Sequence, residues 1–177
     1  MRFNFATLIL LVLLVAGGYF VTAPWWAFRS MRDAARSDDI QALSGLIDYN
    51  AVREGLAAQL SGRPAPDTPP PDVFHDPIGA LKHAFTPPPA PPPGTENYIT
   101  SKSLADMAEG LPPGAPLPAA DKEPIPRIAF WGPDRCRITV APPGEPAKKT
   151  EFTFQRKTIF GWKVVRIVLP GHPSENK

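Results

Sequence analysis

The sequence has few of the side chains that most often build catalytic, redox or metal sites. It contains one cysteine, Cys136, and three histidines in 177 residues. A single cysteine excludes an intramolecular disulfide, and on an alternating strand it would face away from Arg135 and Arg137, so we expect a buried structural thiol. Gly-x-Ser-x-Gly, phosphate-binding glycine-rich and His-Glu-x-x-His motifs are missing from the sequence. The sequence therefore predicts a protein that is not an enzyme and holds no cofactor.

The group around His75 is the nearest approach to a metal site. His75, Asp72, Asp76 and His83 lie close together in the chain. Pro77 would interrupt a helix between the two histidines, because proline lacks the N–H and its ring clashes with the preceding turn. We therefore expect no metal site.

An excess of one charge is lacking as well. Lys and Arg number 19 against 17 Asp and Glu, for a net charge of +2. Nucleic-acid binding usually needs a clustered basic face, which this balance does not provide. The sequence therefore predicts no nucleic-acid partner.

Proline, by contrast, is abundant. The chain has 25 prolines, roughly three times the ordinary share of about 5%. Many lie in an insert that we place at 63–97, where polyproline II is the default conformation and 72–85 could form one short helical turn. The insert is predicted to be a semi-rigid spacer or surface loop, and the alternative is a ligand for an aromatic groove of a partner protein.

A transmembrane anchor is predicted at the amino terminus, over 1–26. Residues 5–23 carry no charge. At about 1.5 Å per residue they are long enough to span the hydrocarbon core of a bilayer, about 30 Å. We expect Tyr19, Trp25 and Trp26 at the membrane interface, because tyrosine and tryptophan favour that layer.

A cleaved signal peptide is the competing interpretation of this segment. Small residues precede a cut after Ala23, but Pro24 would follow it, and proline suits the protease cleft poorly. A cut nearer Ala16-Gly17-Gly18 is the other position that the sequence offers. The apolar run is also longer than the usual signal core of about 7–15 residues. An uncleaved anchor is therefore predicted, with the lipid bilayer as a partner through 5–23.

Two observations give opposite answers on which side of the membrane the soluble domain lies. Arg2 precedes the apolar run, whereas Arg29, Arg32 and Arg36 follow it, and the positive-inside rule taken literally places the body of the protein in the cytoplasm. Aspartates are interleaved with these arginines, as on one face of a soluble helix, and whole domains translocate largely regardless of charge. We expect the domain on the extracytoplasmic side.

Short amphipathic helices are predicted over 27–62, which would form a helical layer. Apolar residues recur at helical spacing over 27–37. Asp38 or Asp39 can cap a second helix, Asp48 a third, and Thr100 or Ser101 a fourth over 101–110. The side chains expected in the core are the apolar ones on one face of each helix: Phe28, Met31, Ile40, Leu43, Leu46, Ile47, Val52, Leu56, Leu60, Leu104 and Met107.

Four strands are predicted near the carboxyl end, at 127–131, 135–140, 150–157 and 162–169. In the last strand, alternation gives two rows: Val165, Ile167 and Leu169 in one, Trp162, Val164 and Val168 in the other. Helices followed by a run of strands predict an α+β fold, in which short helices pack on an antiparallel meander of about four strands. Residues 98–170 would form one domain with 27–62, and 171–177 a tail.

Three segments carry a family resemblance. They are 31–60, with Asp48-Tyr49 and Val52-Arg53, then 98–110, and the closing strands that end in Trp162 to Pro170. Together they resemble a bacterial membrane-anchored family catalogued as domain of unknown function 2939. The resemblance implies a small protein with an amino-terminal hydrophobic segment and no assigned activity, and the long proline segment is a departure from it.

A bent sheet under a helical layer would also resemble the cone-shaped nuclear-transport-factor-like fold. The open end of such a cone would gather Tyr49, Trp131, Arg137 and Trp162, which are the candidate ligand-binding residues. The alternative is that both tryptophans fill the core and Arg137 faces water.

These observations predict a membrane-tethered accessory or interaction domain with a protein partner besides the bilayer. The alternative is a small-molecule-binding, cone-like domain with a pocket between helices and sheet. The expected location is the bacterial inner membrane, crossed once, with the soluble domain in the periplasm.

Overall fold

The computed structural model describes residues 5–62, 78, 94–115, 124–142, 144–158 and 161–172. The proline-rich insert predicted at 63–97 lies outside these residues except for 78 and 94–97. The same holds for the helical turn predicted at 72–85, apart from residue 78, and for the group around His75.

Helices precede strands along the described chain. The helices are α1 (Phe5–Arg36), α2 (Ile40–Leu46), α3 (Tyr49–Leu60), a 3-10 helix (Thr95–Tyr98) and α4 (Ser101–Ala108). The strands are β1 (Arg127–Trp131), β2 (Arg135–Val140), β3 (Thr150–Arg156) and β4 (Trp162–Val168). They form one antiparallel sheet in the order β1-β2-β3-β4. The structure confirms the predicted α+β fold and its meander.

Helix α1 runs without a break from the apolar segment into the domain core. It has 32 residues and contains Pro24. Phe28 and Met31 are fully buried, and the Phe28 ring lies 5.7 Å from that of Phe152 and 6.3 Å from that of Phe154 on β3. The helix predicted over 27–37 is therefore the carboxyl-terminal part of α1, and it covers the centre of the sheet.

Capping residues set the starts of the next helices, as predicted. The Asp39 carboxylate accepts a hydrogen bond from the Ala42 N–H at 2.9 Å, and Asp48 accepts one from Ala51 at 3.3 Å. Each bond satisfies a backbone N–H that the first turn of a helix leaves unpaired. The chain therefore turns twice within a few residues, and α3 comes to lie beside β4.

Two residues occupy the free edge of β4: Asp48, which caps α3, and Gln59 within α3. The Asp48 N–H donates to the Val164 carbonyl at 2.9 Å. The Gln59 side chain donates to the Ile167 carbonyl at 2.7 Å and accepts from the Leu169 N–H at 3.0 Å. An unpaired sheet edge invites pairing with another chain, and here backbone and side-chain groups of the same chain occupy it.

A β-bulge makes the predicted rows of β4 wrong. Phe152 pairs with Ile167, but Phe154 pairs with Val164, so Val165 is an extra residue on β4. Strict alternation fails at a bulge because one inserted residue shifts every later side chain to the other face. Val164 and Ile167, which alternation placed in different rows, therefore both join the core under the helices.

Two helical residues expected in the core are exposed instead. Ile40 exposes 66% of its surface and Leu60 exposes 39%. They are the first residue of α2 and the last residue of α3, where the helical face turns away from the sheet. The other side chains of the predicted set are buried or half-buried.

Candidate functional site

The apolar half of α1 and the sheet meet at one end of the sheet, which we call the junction: Phe20, Val21, Trp131 and Arg156. The Trp131 indole N–H donates to the Val21 carbonyl at 3.2 Å. The Trp131 ring lies edge-on to Phe20, with 6.5 Å between centroids. The Arg156 guanidinium lies over the Phe20 ring, 4.8 Å from its centre. The junction therefore fixes the angle at which α1 leaves the domain.

Hairpin geometry brings the junction residues together. Trp131 is the last residue of β1 and Arg156 is the last residue of β3. In an antiparallel meander, alternate strands run in the same direction, so both residues lie at the same end of the sheet. The Arg156 side chain is held by Asp134 in the β1–β2 turn, through Nε at 3.1 Å and through Nη2. Because a charged pair fixes the guanidinium, its planar face is presented to Phe20.

The helix before the junction is uncovered. Every described side chain from Thr7 to Tyr19 is exposed, and burial begins at Phe20. By length and composition, the helix from Thr7 to Arg36 could cross a membrane. The junction is thus the boundary between a bare apolar helix and a packed domain.

The predicted interface aromatics divide between solvent and core. Tyr19 exposes 50% of its surface and Trp26 exposes 54%. Trp25 is half-buried and packs on the core, with its ring 6.4 Å from that of Phe28. Two of the three side chains therefore project from the helix next to the junction.

The four candidate ligand-binding residues do not come together. Trp162 is 4% exposed and belongs to the core, and the half-buried Tyr49 packs against that core. Trp131 and Trp162 stand on opposite edge strands, three strand spacings apart, which corresponds to about 14 Å. Burial raises the pKa of the Tyr49 hydroxyl, as expected for a phenol that packs on apolar side chains.

Arg137 lies on the sheet face opposite the helices. It pairs in register with Thr153 and is only 8% exposed. Its guanidinium lies 5.2 Å from the centre of the Phe130 ring, and Nη1 is 3.8 Å from a carboxylate oxygen of Glu151. The structure thus differs from both alternatives considered for Arg137, since it neither joins the tryptophans nor faces water.

The space between helices and sheet is filled. No water-accessible surface remains on fourteen core side chains, among them Met31, Leu56, Met107, Ile138 and Phe152. A cavity that admits water would give accessible surface to the side chains that line it. Among these described residues there is therefore no room for a ligand, and the predicted pocket gains no support.

Cys136 is the structural thiol that the sequence predicts. It is fully buried in the core beneath the helices. Burial raises the pKa of its thiol to about 12, because the anion would lose its hydration. The reactive species of cysteine is the thiolate, so the folded protein holds this side chain in its inert form.

Metal-ligating groups do not gather in the part of the chain that the structure describes. Within those residues there is no group of three or more His, Cys, Asp or Glu side chains that could hold an ion. The junction instead combines aromatic rings, a paired guanidinium and an apolar helix. Such a set suits contact with a surface rather than acid–base or redox chemistry.

Phe20 and Arg156 are the junction residues that sequence reasoning missed. The Trp131 bond to Val21 joins residues 110 positions apart. Local patterns carry no information on such pairings. In the sequence, Phe20 is one of many apolar residues in the uncharged run 5–23. The one available indication was the arginine that ends an otherwise regular β3, next to the hairpin turn.

Comparison with known proteins gives a family but no activity. No curated protein and no solved structure matches the chain. A family model does match residues 13–107, just over half of the chain, from within α1 to α4. The sheet lies beyond the matched segment, so the match covers part of the apolar helix, the helical layer and the proline-rich insert. The chain therefore belongs to the family described as "Protein of unknown function (DUF2939)".

Proposed function

We propose that this protein is a single-pass protein of the bacterial inner membrane. Its folded domain lies on the periplasmic side and acts through contacts with a protein partner rather than through catalysis. The observation that carries the proposal is the continuity of α1, whose exposed apolar half and buried core half form one helix. Exposing an apolar helix of this length to water costs free energy, because its apolar surface is hydrated. A bilayer removes this cost by covering the helix with hydrocarbon.

The burial of Ala23 supports an anchor that is kept. Ala23 is 5% exposed and part of the core, and Phe28 follows just over one turn later. A cut after Ala23 would remove Phe20 and Val21, and with them the partners of Trp131 and Arg156. The packing of these residues therefore opposes a cut after Ala23.

The roles of the arginines after the anchor support a periplasmic domain. Arg36 forms an ion pair with Glu109 at 2.7 Å, which links α1 to the end of α4. These cations belong to a folded surface, not to a short basic loop. The positive-inside rule counts Lys and Arg in short loops, so arginines on a folded helix are weak evidence for a cytoplasmic domain.

The charged groups of the domain support a binding role. The Arg156–Asp134 pair holds a turn, Arg137–Glu151 lies across two strands, and Asp48 caps a helix. Each of these charges has a structural task, whereas acid–base catalysis uses titratable groups that converge on a substrate.

Fractionation tests the tether. Introducing two arginines by Leu11→Arg and Val15→Arg places two charges in the exposed apolar helix, at about 2.5–3.5 kcal/mol each near a bilayer centre. The double variant is expected to leave the carbonate-washed membrane pellet, while the matched control Ile40→Arg, an exposed site beyond α1, stays there. Retention of the double variant would show that α1 is not the anchor.

A carboxyl-terminal reporter tests the side of the membrane. An alkaline phosphatase fusion is expected to be active and a green fluorescent protein fusion dark, because the first needs the periplasm and the second the cytoplasm. The opposite pattern would place the domain in the cytoplasm. Pull-down from solubilised membranes with the intact chain and with 64–93 removed then tests whether partners depend on the proline segment.

A further inference from the structure

Strand β1 presents apolar side chains to the outside. All five of its residues are exposed. Ile128, Phe130 and Trp131 expose 50%, 37% and 39% of their surfaces, and Ile125, just before the strand, exposes 75%. We call these four residues the β1 patch. Single exposed apolar residues are ordinary, but a row of them on an edge strand is typical of a contact surface.

A β-bulge gathers part of this patch on one face. Ile128 pairs with Ile138 and Trp131 pairs with Cys136, with a register shift between Ile128 and Phe130. Residues three apart on a regular strand face opposite sides, and the bulge restores them to the same side. Ile128 and Trp131 therefore both stand on the helix-covered face, at the edge that the helices leave open. Phe130, which pairs with Arg137, stands on the opposite face beside Trp131 at the same end of the strand.

The Trp131 end of the patch lies at the level where α1 would leave the hydrocarbon. A helix needs about 20 residues to cross a core of about 30 Å, and a count of that length from Phe5 ends at Pro24. The Trp131 indole binds Val21 within this last stretch. The far boundary of the hydrocarbon therefore falls in the turns of α1 that β1 contacts.

The chemistry at this level suits the interfacial layer of a bilayer. Tryptophan favours that layer, and the bond to Val21 already satisfies the indole N–H that burial would otherwise leave unpaired. Arg156 and Lys157 lie at the same end of the sheet, each paired with a carboxylate, Asp134 and Asp48 respectively, so this end is polar at the level of the lipid headgroups. A partner protein would need to reach a strand whose end is fixed against the membrane helix.

We propose that the β1 patch is a second membrane contact, with Phe130 and Trp131 lying in the interfacial layer of the same bilayer that α1 crosses. This inference rests on the proposed tether. The domain is then held at two places, one helix and one strand edge, and its sheet keeps a fixed angle to the membrane.

Spin-label accessibility tests the contact in the full chain, reconstituted in vesicles of phosphatidylethanolamine and phosphatidylglycerol. In a Cys136→Ala background, single labels are placed by Phe130→Cys, Ile128→Cys, Ile40→Cys and Leu11→Cys. Position 40 is the matched control, because Ile40 is exposed like Ile128 but follows the far end of α1. Labels at 130 and 128 are expected to lose most of the collisions with a water-soluble nickel chelate that position 40 shows, while still colliding with oxygen.

The label at position 11 separates this inference from the tether. Nickel access at 130 and 128 equal to that at 40, with 11 shielded, would overturn the second contact and leave the tether standing. Nickel access at 11 would overturn the tether itself. Shielding of 130 and 128 from both nickel and oxygen would mean that protein, a second copy or a partner, covers the patch, and this too would overturn the proposal. The two label sites on β1 guard against a local failure at either one.

Discussion

Removing the Gln59 side chain should lower the free energy of unfolding by several kcal/mol. It is 7% exposed and bonds to three backbone groups: the Ile167 carbonyl at 2.7 Å, the Leu169 N–H at 3.0 Å and the Gly55 carbonyl at 3.2 Å. Two of these belong to the outer edge of β4 and its continuation. A glutamine amide offers both a donor and an acceptor, which this edge requires at adjacent positions.

The magnitude follows from the groups that Gln59→Ala would leave behind. The Ile167 carbonyl and the Leu169 N–H would remain buried beneath α3 without the partner that each has now. A buried polar group left unsatisfied costs about 1–3 kcal/mol, so we expect a loss of about 2–6 kcal/mol in the free energy of unfolding. That is a large share of the 5–15 kcal/mol or so that stabilises a typical domain.

Urea unfolding of the full chain in mild detergent measures this loss, followed by far-UV circular dichroism and by tryptophan fluorescence, to which the buried Trp162 contributes. Gln41→Ala is the matched control, because Gln41 is an exposed glutamine within α2. Its effect should stay within about 0.5 kcal/mol, as for most surface substitutions. Equal midpoints for the two variants would refute the reasoning, since water or a small shift of α3 would then serve the strand edge as well as Gln59 does.

Two further predictions concern a close backbone approach and a buried thiol. Gly110→Ala should destabilise more than Gly114→Ala in the same urea assay: both have positive φ, +77° and +78°, but only at Gly110 would a Cβ lie 2.7 Å from the Ala141 carbonyl carbon. Equal losses would show that strain in φ, about 1–2 kcal/mol, is the whole effect. For Cys136, the folded thiol keeps its proton to about pH 12 while the unfolded thiol loses it above about pH 9. Stability should therefore fall as pH rises through that window, by up to about 1.4 kcal/mol per unit. Cys136→Ala should flatten the slope, and an unchanged slope would contradict the burial argument.

Local rules predicted most of the secondary structure because its causes are local. Asp39 and Asp48 cap helices through their own side chains, and Thr100 does the same for α4 by accepting from Ser103 at 3.1 Å. Strands β2 and β3 alternate in hydrophobicity over their own length, and turn residues separate the strands. In these cases the residues that determine the secondary structure of a segment lie within about ten residues of each other.

Pairing between distant segments accounts for what the sequence did not show. At the bulge, β4 pairs with β3 on one side, and Val164 bridges to Ile47 on the other. Nothing in residues 162–169 alone indicates an extra residue, so strict alternation predicts the wrong rows. Long-range placement also separates the candidate ligand-binding residues: a cone-like sheet would gather Tyr49, Trp131 and Trp162 at its open end, whereas Trp162 lies in the core and Tyr49 packs against it.

A shared helix changes what a tether does to the domain. A flexible linker would let a domain rotate freely near the membrane, whereas α1 carries Phe28 and Met31 deep into the core with no break after the apolar segment. From Phe20 to Arg36 the helix rises about 24 Å, so the turn that leads into α2 stands at that distance from the junction. Given the proposed anchor, the sheet end at Trp131 is held against the bilayer and is closed to a soluble partner. Under the same proposal, the exposed Ile40 at the start of α2 lies at the end of the domain that faces away from the bilayer, where a partner would not have to compete with lipid.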